Sequence, residues 1–483
     1  MGSIAGTIVD WQSGNKLAAK VSVQGNGGLF HAPEGSIATV GTTNPYFYAD
    51  GSFAVDLPRG QADVRVERGT EYAPLHVTVS VPLKGTVNLS LPLQRWIRLE
   101  SQGWYPGNTH IHYREFESRP EERLRFDSEV EDLTVTVISV LQQQEFAYAT
   151  NRYLVGRMEH PTRPHWVLDV GEETRHNKIL GDSSSGYGHV MLVRLQEQVD
   201  PLSRGVLVDD SDPDYPPLMD ACDSAQAQGG VVIWCHNGWG MEAPIAASLQ
   251  RIDALNLFDP YWLDTEYDLW YHLLNCGFKL PASTGSDWFI CSANRVYTHL
   301  EQSFSYDGWL ETLKDGRSFI TNGPVLELTV EGQPPGARLD LRARHPKQVR
   351  VEARWQAHRT IESVEIVMNG SVVAGERDSN GSREGVLSAT LAAPHDGWIA
   401  ARCSGKSRDS YGHAQWAHTS PVYLKTGSRA PAARESAQFF VAQIERSLKW
   451  ITEEARFDEA SHRQRMQQLF RDGRESFLRL ARG

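Results

Sequence analysis

Two apolar runs, LTVTVISVL at Leu133–Leu141 and GVVIWC at Gly230–Cys235, constrain this fold most. Their hydrophobic residues are consecutive rather than alternate, so as strands they must be covered on both faces. Similar runs lie at Trp166–Val170, His189–Leu195 and Phe278–Pro281, with stretches of helical character such as Pro217–Gln228 and Thr265–Cys276 between them. Strands of this kind separated by helices imply parallel βα units, and the texture holds from residue 99 to 323.

The flanks read differently. Residues 1–98 form short alternating segments (Ile4–Asp10, Ala19–Gly25, Ser52–Leu57, Ala62–Gly69, Leu75–Pro82, Thr86–Leu91) broken by Gly, Pro and Asn, the pattern of a β-sandwich. Residues 324–425 repeat it at Leu326–Val330, Gln348–Trp355, Ile361–Asn369, Val386–Leu391, Trp398–Cys403 and Pro421–Leu424, predicting a second sandwich. Residues 426–483 read as a linker and two amphipathic helices. Their apolar positions are Phe440, Ile444, Leu448, Ile451 and Ala455, then Met466, Leu469, Phe470, Gly473, Phe477 and Leu480.

At 483 residues several domains are expected. A formal net charge of −12 argues against a protein built to neutralise nucleic-acid phosphates. The five cysteines are scattered and without a CxxC pair, which argues against a thiolate zinc site and a disulfide framework. The N-terminus lacks the basic and apolar regions of a signal peptide, and no run approaches the ~20 apolar residues of a membrane span. A cytoplasmic protein with a small-molecule substrate and no membrane or nucleic-acid partner is expected. The β domains or the C-terminal helices are the surfaces offered for a homo-oligomer.

The chemistry gathers at strand ends. In GWYPGNTHIHY, His110 and His112 are two apart on an extended segment, so their imidazoles face one side roughly 6.5 Å apart along the chain. Glu172 and Glu173 follow the WVLDV strand, His189 opens HVMLVRL, His236 follows GGVVIWC, and Asp287 follows KLPASTGS. Such residues converge at the C-terminal rim of an α/β barrel, and His with carboxylate donors suits a hard-to-borderline divalent cation.

The order HIH, GEE, GH, CHNGWG, TGSDW resembles the PHP (polymerase and histidinol phosphatase) superfamily of distorted β/α barrels, especially its CehA/McbA-like, carbaryl-hydrolase-type branch. VDLPRGQADVRVERGTEY before the site and GRSFITNGP after it are similar to that branch's sandwich, barrel, sandwich layout, so the resemblance covers roughly 1–425. It implies six metal ligands: His110, His112, Glu173, His189, His236 and Asp287, with Glu172 as the alternative to Glu173. The chain departs from the superfamily in having Gln142, Gln143 and Gln144 where an Asp-His pair is common, and Trp288 and Phe289 after Asp287 where Asp-x-His is common. One or two divalent ions are therefore expected, Zn2+ or Mn2+ first and Fe2+ as a further option.

These readings predict a metal-dependent hydrolase that cleaves a carbamate, ester or amide of a small, aromatic-bearing substrate. Asp287, Glu173 and Arg175 are the expected catalytic side chains, and Asn237, Trp239, Tyr113 and Trp288 the expected substrate contacts. A PHP-type phosphoesterase and a non-catalytic binding protein with a structural metal are the alternatives.

Overall fold

Period-two burial organises the N-terminal region. Ser52–Leu57 and Gly60–Glu67 bury every second residue, as strands with one face on a core must. The computed structural model describes residues 1–483 apart from 41–43, 142–148, 161, 164, 178, 181–182, 185, 201–212, 259–265, 288–289, 346 and 483. Gly2–Asp10 lies between Ser52–Leu57 and Gly85–Leu93 in one sheet. A second sheet pairs Ala18–Gln24 with Pro45–Asp50 and Gly60–Glu67, and Gly60–Glu67 with Leu75–Val81. Ile4, Ile8 and Leu91 of the first sheet share one core with Val21, Val23, Phe47 and Val64 of the second. Pro45–Asp50 does not alternate in burial because both its faces are covered: Phe47 points into that core, while Tyr46 and Tyr48 pack with Phe126 and Val130 of the central region.

Seven helices are described: α1 (Pro120–Glu131), α2 (Leu218–Ala227), α3 (Ala243–Ser248), α4 (Asp268–Asn275), α5 (Tyr306–Asp315), α6 (Pro431–Glu453) and α7 (Ala460–Arg482). The chain is thus mixed α/β and rich in strands. In the central region Trp104–Asn108, Val135–Val140 and Val167–His176 pair in parallel. Val231–Trp234, Ala254–Asn256 and Ala282–Ser283 do the same, with α3 and α4 as the crossovers.

Gly188–Val193 corrects the expectation of uniformly parallel units, because it runs antiparallel to both Val167–His176 and Val231–Trp234. Between His176 and Gly188 the described residues hold only a small antiparallel ladder, Ile179–Leu180 with Ser183–Ser184. A return without a crossover helix leaves only antiparallel pairing. Among the described residues the strand pairing does not establish a closed barrel. The segments after Trp104–Asn108 and Ala282–Ser283 are nevertheless joined: Asp287 N donates to His110 O at 2.8 Å, and His112 N to Asp287 O at 2.9 Å.

The C-terminal strands share a further core that includes Leu326, Val351, Ile366, Ile399 and Val422. Two segments separate in the sequence, Gln348–Trp355 and Ile361–Asn369, belong to one strand, Gln348–Met368, with register shifts between Gln356 and Ile361. A bulge carries the strand across the polar interruption. Nor does the sheet stop at residue 323, since Ser318–Thr321 pairs with Ala414–Thr419 and joins the C-terminal strands to the central sheet. The segment read as a linker is pinned, with the amides of Thr426 and Gly427 donating to Asp396 Oδ1 at 2.6 and 2.8 Å.

Helices α6 and α7 lie on the central region. Phe440, Ile444, Ile451, Met466, Phe470 and Phe477 are fully buried in the core that also contains Ile245, Trp270 and Leu273. Each such side chain contributes about 1.5–3 kcal/mol relative to its exposed state. Gly473 allows the contact, because a Cβ there would stand 2.9 Å from Ile245 side-chain carbons. No helix of the described residues is long and apolar enough to cross a membrane.

Buried charge joins the N-terminal and central regions. Glu131, at the end of α1, pairs with Lys20 from the N-terminal sheet and, at 2.7 Å, with Arg295; all three are at most 5% exposed. Burial opposes charge on Lys20, but Glu131 more than offsets it and holds the ammonium protonated. Removing one member leaves the other charges buried without compensation. Glu131→Ala should therefore cost about 3–5 kcal/mol of stability, read from the denaturant midpoint. An unchanged midpoint would contradict this account of the joint.

Candidate metal centre

The backbone delivers the candidate ligands from four places in the central sheet. His110 and His112 extend the Trp104–Asn108 strand, Glu173 lies within Val167–His176, His189 within Gly188–Val193, and His236 just beyond Val231–Trp234. Asp287 follows Ala282–Ser283 and forms a parallel bridge with Ile111. Gly285 makes this approach feasible, since a Cβ there would meet His110 Cβ at 2.5 Å. His236, Asn237 and Asp287 hold φ values of 52°, 58° and 53°. Such left-handed backbone costs of order 1–3 kcal/mol per residue and persists where surrounding contacts enforce it.

Glu173 is the centre of the arrangement. Its Oε2 lies 2.9 Å from His112 Nε2 and 3.8 Å from His110 Nε2. Its Oε1 lies 2.9 Å from His189 Nδ1 and 3.7 Å from His236 Nε2. One carboxylate thus addresses two histidine pairs with its two oxygens. Asp287 Oδ1 stands 3.5 and 3.6 Å from the Nε2 atoms of His110 and His112, and Oδ2 is 3.9 Å from His236 Nδ1. Two donors of a tetrahedral zinc site about 2.1 Å from the ion are separated by about 3.4 Å, a value that these distances bracket.

The outer hydrogen bonds of the histidines show what the inner atoms offer. His112 Nδ1 donates to Ser139 O at 3.2 Å, leaving a lone pair on Nε2 towards Glu173. His189 Nε2 donates to Asn177 Oδ1 at 2.6 Å, leaving its Nδ1 lone pair towards Glu173 Oε1 and towards His236 Nε2 at 2.7 Å. Glu173 Oε1 itself is buried and, despite the close His189 nitrogen, makes no hydrogen bond of proper geometry among the described residues. Electron pairs converging on buried points repel one another unless a cation lies between them. Two groups of these residues, His110–His112–Glu173 and Glu173–His189–His236, could each hold a metal ion.

Protonation is consistent with ligation. Burial would push the Glu173 carboxyl up, but the Arg175 guanidinium, 3.7 Å from Oε2, opposes this and the group is held well below the usual range. Burial, reinforced by His236, brings His189 down to about 3, so its imidazole is neutral at physiological pH. Glu172 differs from its neighbour. Adjacent strand residues face opposite ways, and Glu172 accepts from Thr174 Oγ1 at 3.0 Å and Val199 N at 3.3 Å, away from the histidines. Burial pushes it up to about 7. Geometry therefore selects Glu173.

A cleft of about 510 Å³ opens on His236 and is lined by Asn237, Trp239, Met241, Leu269 and residues of α6. Asn237 and Trp239 thus both line this cleft. Asn237 Oδ1 also accepts from Phe258 N at 2.8 Å, and the Trp239 ring stands edge-on to His189 at 5.4 Å. Tyr113 corrects the sequence expectation. It is fully buried, donates to Asp127 Oδ2 at 2.8 Å and lies under Arg123 at 4.6 Å, because the residue after inward-facing His112 must point to the other side. Arg175 reaches Glu173 rather than the cleft lining. Trp288, and the departures at Gln142–Gln144 and Phe289, lie outside the described residues.

Sequence reasoning missed Asn177, Ser139 and the α6 residues. Nothing local marks the first two, since their roles depend on strand register. The polar stripe Gln443, Arg446, Ser447 on α6 was visible, but not what it faces. No protein-family model matches the chain, and no curated protein matches it.

Substitution separates the two adjacent acids. Glu173→Gln should lose both bound divalent ions, whereas Glu172→Gln should retain them, as measured by metal content after dialysis against Zn2+ or Mn2+. Equal loss in both variants would contradict the assignment.

Proposed function

We propose that this chain is a metal-dependent hydrolase of the PHP type, its central α/β region a distorted barrel between two β-sandwiches, that cleaves a carbamate, ester or amide of a small substrate with an apolar part. The observation that carries the reading is the placement of Glu173, each of whose oxygens faces a different histidine pair beside a substrate-sized cleft. Divalent ions held there would supply an acidified water, with a pKa of about 7 in favourable zinc sites, and a Lewis acid for the scissile carbonyl.

The protein's own groups divide the remaining work. His110, His112, His189, His236 and Glu173 are the donors, with Asp287 completing the set towards His110 and His112. Arg175 keeps Glu173 ionised, so that the carboxylate binds rather than releases a proton. We assign Asp287 Oδ2, the oxygen nearer His236, as the base that takes the proton from the attacking water. Trp239, Met241 and Leu269 exclude solvent from the cleft and orient an apolar leaving or acyl group. The phosphoesterase alternative would need cations around the transferred phosphate. Arg175, the cation beside the ligands, is directed at Glu173 instead, and the cleft adds one further guanidinium, that of Arg446 on α6. A purely structural metal accords poorly with His236, whose side chain is 11% exposed and borders the cleft.

The test is turnover of aryl carbamates, aryl esters, anilides and nitrophenyl phosphates by protein loaded with Zn2+, Mn2+ or Fe2+. Carbonyl substrates should turn over, chelation should abolish the activity, and Asp287→Asn should lower kcat by about 10²–10⁴. Preferred cleavage of the phosphates, or activity that survives metal removal, would overturn the reading.

A further inference from the structure

The cleft beside His236 is not made by the central region alone. Gln443, Arg446, Ser447 and Trp450 of α6 form one of its walls, opposite Trp239, Met241, Pro244 and Leu269. Their spacing of i, i+3, i+4 and i+7 is one helix face, distinct from the row Phe440, Ile444 and Ile451 that buries α6 in the core. The wall is held in place from several sides. Asp214 accepts from Arg456 N at 2.7 Å and donates its own amide to Arg456 O at 2.7 Å, just beyond α6, while its Oδ1 holds His176 Nε2 at 2.9 Å. His176 ends the strand that carries Glu173. Tyr187, stacked on His176 at 4.0 Å, meets the edge of Trp450 at 6.1 Å. The hairpin is therefore built into the site.

Within this wall Arg446 is the cationic side chain. Its helical neighbours at i−4, i−3, i+3 and i+4 are Ala442, Gln443, Lys449 and Trp450, so α6 offers no carboxylate at pairing distance. It makes no ion pair among the described residues. Glu266, an acid that also lines the cleft, borders a neighbouring cavity as well and makes no ion pair with Arg446 among the described residues. Arg446 lines the first cleft. Arg446 is itself exposed, so a carboxylate entering the cleft meets an accessible guanidinium, and hydrogen bonds between two charged groups are stronger than those between neutral ones.

We propose that the C-terminal hairpin is the substrate-recognition wall of this site, and that Arg446 binds a carboxylate carried by a substrate whose apolar body lies between Trp239 and Trp450. The proposal deepens the hydrolase reading and rests on it for calling the ligand a substrate. The binding chemistry is independent of turnover.

The probes are 4-phenylbutyrate and 4-phenylbutanol, which share an apolar body and differ in the end group. Binding to the full chain, stripped of metal by chelation, is followed by tryptophan fluorescence and calorimetry. The acid should bind at least about tenfold more tightly than the alcohol, and Arg446→Ala should remove that preference without weakening the alcohol. Lys449→Ala, on the exposed side of α6, serves as the control and should leave the preference intact. Equal binding of acid and alcohol, or equal losses in the two variants, would overturn the proposal. Arg446-dependent acid binding without hydrolysis of any carbonyl substrate would sustain this inference and remove the hydrolase reading; turnover without acid preference would do the reverse.

Discussion

A carboxylate buried among four imidazoles has to be reconciled with the electron pairs around it. Glu173 is held ionised by Arg175, yet the nearest nitrogens of His112 and His189 direct lone pairs towards it, because their protons are committed to Ser139 O and Asn177 Oδ1. A cation between them would satisfy these buried groups, and two groupings of the residues could hold one. Much of the surrounding architecture follows from that demand. Gly285 permits the close approach of the Asp287 segment to His110, and the backbone at His236 and Asp287 is held in the left-handed region to aim the side chains.

The same region depends on the flanking parts of the chain. Tyr113, next to His112, is hydrogen-bonded to Asp127, which also accepts from Tyr48 of the N-terminal sheet. Glu131 links Lys20 to Arg295, and Tyr411 of the C-terminal part donates to Cys291 O. The outward face of the ligand-bearing strand is thus a polar joint to the N-terminal and C-terminal regions. Its inward face is the candidate metal centre. A domain packed on one side of a strand in this way sets the position of ligands on the other.

The candidate positions were legible because residue types that suit a cation recur at strand ends, which are readable from apolar runs such as GVVIWC, and because the resemblance selected six of them. All six positions, His110, His112, Glu173, His189, His236 and Asp287, lie together around Glu173. Strand direction was not legible. Gly188–Val193 is buried throughout, so its pattern is the same whether it runs parallel or antiparallel to its neighbours. Tyr113 was misjudged because proximity to a ligand in sequence means opposition on a strand. Helix α6 showed its apolar row, but the polar row beside it acquires meaning only once the cleft is seen. The continuity of the sheet past residue 323 likewise depends on pairing between Ser318–Thr321 and Ala414–Thr419, nearly a hundred positions apart, which no local pattern encodes.

Anomalous diffraction from crystals grown with Zn2+ or Mn2+ tests the central claim most directly. Two anomalous peaks should flank Glu173, one beside His110 and His112 and the other beside His189 and His236, with at least one ion keeping a solvent ligand towards the cleft. A single ion fully enclosed by protein donors, or no ion at Glu173, would contradict it.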